Sequence, residues 1–200
     1  MEAITKLKGH LKATIKRLVY CIAPPRKISR KIKGKNNVVA IGSRLRCGEL
    51  RIIIHGDDNR VEVGHDCDFA GVNTIFMSGD NNSIKIGDGV STDGDVHFIL
   101  AEGTSISVGD DCMFAKHTNI RTSDQHSIFD NKGQRTNLPQ DVRIGCHVWV
   151  GASCLIMKGA QIGDGAVVGI QSMVCKDVPP RSVVAGRPAR LIREDITWTR

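Results

Sequence analysis

The sequence has few aromatic residues, no closely spaced cysteine pair and no long apolar run. Phe, Trp and Tyr make up 4% of the 200 residues, which argues against a platform on which nucleic-acid bases would stack. The seven cysteines are odd in number and form no CxxC pair, which argues against a disulfide framework and favours a reducing compartment. The longest apolar run, residues 18–23, is far shorter than the roughly 20 residues of a transmembrane helix. We therefore expect a cytoplasmic protein without a nucleic-acid partner.

The excess of positive charge is confined to the N-terminal segment. Residues 1–35 hold eleven Lys or Arg and one Glu, a net charge of +10, so the remaining chain carries −3 of the total +7. Apolar residues recur there at helical spacing, at Ile4, Leu7, Leu11, Ile15, Leu18 and Ile22. This pattern predicts a basic amphipathic α-helix and a linker over residues 1–35. Two roles stay open for the helix: a cap over the domain that follows, or a peripheral contact with the anionic inner face of the cell membrane.

A strict six-residue repeat dominates the C-terminal part of the chain. Its members are the β-branched residues Ile144, Val150, Ile156, Ile162, Val168 and Val174. Each hexamer is too long for one helical turn or one strand alternation, so it predicts a short strand followed by a bend, repeated as a β-solenoid. Cys67, Cys112 and Cys154 occupy the small-residue position of their hexamers, where we expect compact buried fillers.

The repeat is looser between Val38 and Ile120, and it is interrupted once at length. Its frame slips after Ile75 and again after Phe98, which we interpret as short insertions at the corners of the solenoid. The long interruption is residues 121–141, a polar excursion containing one His, and loops of this length usually carry function. We therefore predict a solenoid domain over residues 36–200, with an excursion loop at 121–141 and a C-terminal tail at 181–200.

Four motifs of the repeat region carry a resemblance to a known family. They are residues 144–151 (IGCHVWVG), 162–166 (IGDGA), 176–180 (KDVPP) and 185–190 (AGRPAR). These resemble the hexapeptide-repeat acyltransferases, and in particular the galactoside, maltose and capsular-polysaccharide O-acetyltransferases. The resemblance implies an all-β, left-handed parallel β-helix, here with an N-terminal amphipathic α-helix and a short C-terminal element. It also implies a homotrimer with active sites between subunits, acetyl-CoA as co-substrate and no metal.

The resemblance implies that His126 in the excursion acts on the acceptor hydroxyl. The chemistry agrees, because an imidazole is neutral near pH 7 and can still accept a hydroxyl proton. Asp124 either orients that ring or simply forms a turn. The resemblance also places Trp149 at the acetyl site, with a subunit-interface anchor as the alternative.

The remaining site residues follow from the same resemblance. Backbone NH groups at Gly151 and Ala152 would stabilise the oxyanion, and the backbone at Gly169 and Ile170 would flank the pantetheine arm. Cations for the phosphates of acetyl-CoA would come from Lys176, Arg190 and Arg193. Glu102 is a candidate for binding sugar hydroxyls, or else an ordinary acid at a corner.

These observations predict acetyl-CoA-dependent O-acetylation of a carbohydrate, in the synthesis of a surface polysaccharide. A xenobiotic or amino-sugar acetyltransferase of the same fold stays open, as does a noncatalytic β-helical binding scaffold. A metalloenzyme of the carbonic anhydrase type would need three converging histidines, and His117 and His126 provide no close pair. We expect His117 and His147 to lie at exposed corners, and His97 is a further candidate for the acceptor side.

Overall fold

Residues 27–200 are described by a computed structural model, and they form a parallel β-solenoid of about seven coils with no helix among them. The chain winds through three sheet faces, and strands of successive coils pair in parallel. This confirms the predicted parallel β-helix, while the predicted N-terminal helix lies outside the described residues. No helix in this part of the chain has the length and hydrophobicity to cross a bilayer.

Each face is a ladder of short strands, and β3 and β5 bend across two faces. Face 1 contains the starts of β3 (Arg46–His55) and β5 (Asp68–Ser78), then β7 (Ser91–Thr92), β10 (Met113–Phe114), β13 (Trp149–Val150), β16 (Val167–Val168) and β18 (Val183–Ala185). Face 2 contains β1 (Lys27–Lys33), the ends of β3 and β5, β8 (His97–Ala101), β11 (Asn119–Arg121), β14 (Leu155–Ile156) and β17 (Met173–Val174). Face 3 contains β2 (Val38–Ile41), β4 (Arg60–Val63), β6 (Ser83–Ile86), β9 (Ser105–Val108), β12 (Val142–Ile144) and β15 (Gln161–Ile162).

The solenoid starts earlier than the sequence indicated. All seven residues of β1 pair with β3, from Lys27 beside Glu49 to Lys33 beside His55. Residues 27–33, which we had assigned to a linker, are therefore the first strand of face 2.

Coils of two sizes make up the solenoid, and this replaces the predicted corner insertions. Before the excursion, bonded corner residues of successive coils are 22 or 23 residues apart, as with Arg44 and Asp66. After the excursion the spacing falls to 18 residues, as between Cys146 and Asp164. The extra residues of the N-terminal coils lengthen the strands of faces 2 and 3, so the two frame slips are a regular feature of these larger coils. We call the coils before the excursion the wide coils and those after it the narrow coils.

The core follows the change in coil size. The wide coils bury Phe69, Phe98 and Phe114, with the last two rings packed edge to face at 5.9 Å. The same columns continue with Val150 and Ile156 in the narrow coils, where the strict hexamers point their β-branched residues inward as predicted. Because a narrow coil encloses less space, it is filled by smaller side chains, as close packing requires.

The small-residue positions are also buried as expected. Cys67, Cys112 and Cys154 are all enclosed in the core, and burial raises the pKa of the Cys112 thiol to about 12. Close stacking explains the glycine of the Ile-Gly motif, because a Cβ atom added to Gly145 would lie 2.2 Å from the Asp164 carboxylate.

The C-terminal tail closes the ladder and then turns back. Strand β19 (Arg190–Arg193) pairs antiparallel with β18 on face 1. Beyond it, the chain contacts the corner between faces 3 and 1, where the Ile196 amide donates to the Arg181 carbonyl at 3.0 Å.

Candidate active site

The excursion leaves the solenoid between faces 2 and 3. Strand β11 ends at Arg121 and β12 begins at Val142. Within the loop, Phe129 and Arg135 form an antiparallel bridge, and the Thr136 amide donates to the Ile128 carbonyl at 2.8 Å. The excursion is therefore a small hairpin that projects from one corner of the solenoid.

A wide coil holds the excursion through an ion pair. Arg135 donates to both carboxylate oxygens of Glu102, at 2.5 and 3.1 Å, and the Ser123 hydroxyl donates to the same carboxylate at 2.5 Å. The Arg135 guanidinium, followed by Ser123, holds the pKa of Glu102 below its ordinary value. Glu102 was predicted as a sugar-binding acid or a corner acid. In the structure its carboxylate is hydrogen-bonded to Arg135 and Ser123 of the excursion.

A narrow coil holds the excursion from the other side. Lys158, at the next corner of the same column, donates to the Asp124 carboxylate at 2.5 Å and to the Asn137 carbonyl at 3.1 Å. The side chain of Asn137 also donates to Asp124, at 2.9 Å. Lys158 and then Asn137 hold the pKa of Asp124 below its ordinary value.

His126 lies exposed on this braced loop. The Asn137 side chain donates to the His126 main-chain carbonyl at 2.7 Å, which fixes the backbone next to the ring. The imidazole itself has no hydrogen-bond partner among residues 27–200. The carboxylate of Asp124 is bonded to Lys158 and Asn137 and not to the ring, so the expected orienting contact is replaced by one to the backbone.

Trp149 lies on the outer surface of face 1 with 41% of its area exposed. Its ring packs against Trp198 of the tail, with centroids 6.0 Å apart. Within the described part of the chain its indole N–H finds no acceptor. This leaves a half-covered aromatic surface with one open donor.

The backbone at the corner between faces 1 and 2 corrects one predicted role. The Gly151 amide donates to the Val168 carbonyl at 2.8 Å, so it cannot serve an oxyanion. The next amide, that of Ala152, donates to no residue of the described chain. One coil further on, Gly169 and Ile170 repeat the arrangement, since the Gly169 amide donates to Val184 and the Ile170 amide is open. Open amides therefore recur along this corner.

The predicted cations lie in the last coils. Lys176 follows β17, and Arg190 and Arg193 lie on β19, all three exposed. No ion pair joins any of them to an acid of the described chain. Ile170 is 68% exposed at the preceding corner. Within residues 27–200, none of these side chains contacts His126 through a hydrogen bond or an ion pair.

Other histidines and acids behave differently from the site residues. His97 and His117 share the carboxylate of Asp95, at 2.9 and 2.6 Å. His117 lies at an exposed corner as expected, whereas His147 is half covered by Trp198 at its corner. Among residues 27–200 there is no group of three His, Cys, Asp or Glu side chains that could hold a metal ion.

Sequence reasoning missed four residues that brace or cover the site: Ser123, Arg135, Asn137 and Lys158. Lys158 could have been found, because the hexamer register places it at the corner after β14, in the same column as the excursion and one coil later. The partners inside the excursion carry no periodic signal, so their contacts follow only from the folded loop.

Comparison with known proteins places the chain beside O-acetyltransferases. No protein-family model matches it. A polysialic acid O-acetyltransferase of Neisseria meningitidis is 32% identical over 190 residues, covering 84% of this chain and 88% of that protein. A second protein of this name, from Escherichia coli O1:K1 / APEC, is 36% identical over 103 residues, which are 51% of this chain and 34% of that one.

The structural comparison agrees. A crystal structure of the polysialic acid O-acetyltransferase OatWY superposes with a TM-score of 0.76 at 28% identity, covering 86% of this chain and 91% of that chain.

Proposed function

The chain belongs to the hexapeptide-repeat acyltransferases, and from that premise we propose that it transfers the acetyl group of acetyl-CoA to a carbohydrate hydroxyl, with His126 as general base. The observation that carries the catalytic part is an open imidazole on a loop braced from two sides, by Glu102 and by Lys158. An acid–base group must be both available to substrate and fixed in place. His126 has an open imidazole, and its backbone is fixed by the hydrogen bond from Asn137.

The proposed reaction is a direct transfer. His126 removes the proton of the acceptor hydroxyl, whose oxygen attacks the thioester carbonyl of acetyl-CoA. A new C–O bond forms, the C–S bond of the tetrahedral intermediate breaks, and the imidazolium returns its proton to the departing sulfur. No covalent enzyme intermediate is required.

Negative charge on the intermediate needs donors that are not already in use. We assign this to the Ala152 amide and the Trp149 indole N–H, both without an acceptor in the described chain. The Gly151 amide is left out because its hydrogen bond to Val168 is part of the ladder.

The co-substrate has features that suit the narrow coils. Its pantetheine arm carries amides, which the open backbone at Ile170 can meet, and the exposed Ile170 side chain offers apolar surface. Its phosphates would meet the cations Lys176, Arg190 and Arg193, which no acid of the described chain pairs. The residues present therefore fit acetyl-CoA.

For the acceptor we propose a surface polysaccharide. Support comes from the relatives, which are named for O-acetylation of polysialic acid. We also propose a homotrimer in which the excursion contacts a neighbouring subunit. Ile128, Phe129 and Leu138 of the excursion are each about 60% exposed, and exposed apolar side chains are typical of interfaces.

Acetyl transfer can be tested by following thiol release from acetyl-CoA with a panel of acidic and neutral glycans, an amino sugar and chloramphenicol. We expect release only with glycans, and a loss of about 10²- to 10⁴-fold in kcat for His126→Ala. The matched control is His65→Ala, a histidine of the wide coils, which should keep wild-type kcat. Wild-type kcat in His126→Ala would refute the role of this residue, and thiol release only with chloramphenicol would refute the acceptor class.

We further propose that the basic N-terminal segment, which the sequence predicts to be an amphipathic helix, contacts an anionic membrane surface. The test is a deletion of residues 1–26, which stops before β1 and so leaves the first ladder intact. The full chain should bind anionic vesicles and the shortened chain should not, with neutral vesicles as the control. Equal binding of the two proteins would refute this role.

A further inference from the structure

The last residues of the chain form a strap that spans five coils. Every second residue of this strap, defined as residues 196–200, contacts the corner between faces 3 and 1. Ile196 bonds to Arg181, Trp198 covers His147, and Arg200 donates to the Gly89 carbonyl at 2.9 Å. The strap therefore runs from a narrow coil back to the wide coils.

Trp198 is the best anchored residue of the strap. Its ring is stacked on His147, with centroids 3.9 Å apart and planes 9° apart. Its indole N–H donates to the His147 carbonyl at 3.1 Å, and the His147 ring in turn contacts the Trp198 carbonyl at 3.0 Å. Asp111 then joins the two anchors, because it contacts the His147 ring at 2.6 Å and Arg200 at 2.9 Å. The Trp198 ring is thus held by His147, which Asp111 links to Arg200.

The other neighbour of Trp198 is Trp149. The two ring planes meet at 48°, with centroids 6.0 Å apart. Among residues 27–200, no other aromatic ring contacts Trp149, and no hydrogen bond holds its indole. On an exposed face of the sheet, an aromatic side chain without such a neighbour could choose between rotamers.

We infer that Trp198 is a positioning residue that holds the Trp149 indole in one orientation on face 1. The inference rests on the proposed function, which uses that indole as an oxyanion donor. A donor in the site contributes only when it is aimed at the developing charge. Trp198 makes no contact with the reacting atoms in this scheme, so its contribution comes entirely through Trp149.

The ring contact can be tested without any enzyme assay. Trp149 and Trp198 are the only two tryptophans of the chain, so exciton coupling in circular dichroism reports on this pair alone. We expect a couplet in the wild type that disappears in both Trp149→Phe and Trp198→Phe. Arg200→Ala leaves both indoles in place but removes the end anchor of the strap, so it should weaken the couplet. A wild type without a couplet would contradict the inference.

Kinetics then separate positioning from general stability. We expect Trp198→Ala to lower kcat about tenfold, as small misplacements of a catalytic group do, while KM for the acceptor stays the same. Trp198→Phe should recover most of the rate, because a smaller ring still packs on Trp149. Thr199→Ala, at an exposed strap position, is the matched control and should behave as wild type.

Three outcomes distinguish the two proposals. Wild-type kcat in a folded Trp198→Ala protein contradicts the inference alone. Wild-type kcat in Trp149→Phe contradicts the donor role on which it rests, even if the couplet is present. If Trp198→Ala does not fold, Arg200→Ala replaces it, and a weakened couplet with unchanged kcat then contradicts the inference.

Discussion

The wide and narrow coils share the same three sheet faces but differ in repeat length, in core residues and in the site residues that they carry. The wide coils have the longer repeat and bury three Phe side chains, whereas the narrow coils have the shorter repeat and are filled by Val, Ile, Ala and Cys. The narrow coils supply the open amides and Trp149. They also supply the three cations that form no ion pair within residues 27–200. The comparison places the larger buried side chains in the first part of the solenoid and the proposed chemistry in the second.

The excursion lies where the two coil sizes meet, and each side grips it. Glu102 belongs to the corner of the last wide coil and Lys158 to the corner of a narrow one, and each bonds to a different part of the loop. The loop is therefore held by both kinds of coil at once. A regular repeat fold can therefore anchor one long loop through side chains of the coils on either side of it.

The largest expected effect tests where stability resides. Phe98→Ala in a wide coil should lower the free energy of unfolding by about 3–5 kcal/mol, because it leaves a cavity that neighbouring strands cannot close. Ile156→Ala, the same truncation to alanine in the same column of a narrow coil, should cost less, about 2–3 kcal/mol, because the smaller side chain leaves a smaller cavity. Urea unfolding measures both. Equal losses would remove the distinction between the two regions.

The next effect tests the grip on the excursion. Arg135→Ala and Lys158→Ala should each lower kcat by up to about 10²-fold, because a loosened loop misplaces His126. The double variant should lose less than the product of the two, since both residues hold the same loop. Arg60→Ala breaks an exposed ion pair with Glu62 in a wide coil and should leave kcat unchanged. Independent effects of Arg135 and Lys158 would show that they do not act on one structure.

The smallest effect concerns pH and the strap that links the two regions. The Trp198 carbonyl, and then Asp111, raise the pKa of His147 above its ordinary value, while Arg200 acts in the opposite sense. A raised pKa means that the protonated ring stabilises the strap at pH below about 6.5, the unfolded value. That contribution is lost as the pH rises through the higher folded pKa.

Tryptophan fluorescence should therefore change with pH as His147 loses its proton beside Trp198. Asp111→Asn removes one cause of the raised pKa, so its midpoint should lie at lower pH than that of the wild type. His147 and Trp198 line a cavity of about 410 Å³, together with the charged residues Asp164 and Arg181. Both of these charges are unchanged in the Asp111→Asn variant. An identical midpoint in both proteins would contradict the role of Asp111.

The sequence predicted the narrow coils well because nothing interrupts their register. From Ile144 to Val174 every sixth residue is inward, and the structure places each of them in the core. The wide coils were misread because a hexamer is the wrong unit for them. Ile52 and Val63 have the same separation along the chain as Ile75 and Ile86, just short of two hexamers. That shared separation is the sequence signal of the longer strands on face 2.

Contacts outside the repeat were not predictable in the same way. Asp124 is close to His126 in sequence, yet its charge is satisfied by Lys158, 34 residues away. Trp198 reaches His147 across 51 residues, by a tail that has no periodic pattern. Such contacts depend on where the loop and tail fall in space, and periodicity specifies only the coils.

The C-terminal end of the solenoid affects whether two molecules can associate end to end. A parallel ladder that simply stopped would offer free backbone groups on all three faces, and these could template the strands of another chain. Face 1 ends instead in the antiparallel β19, face 2 in a turn where Gly186 and Ala189 bond to Met173, and face 3 at Pro179 and Pro180. Face 1 thus ends in a short edge strand that carries Arg190 and Arg193, and charged side chains on such an edge oppose head-to-tail growth into filaments.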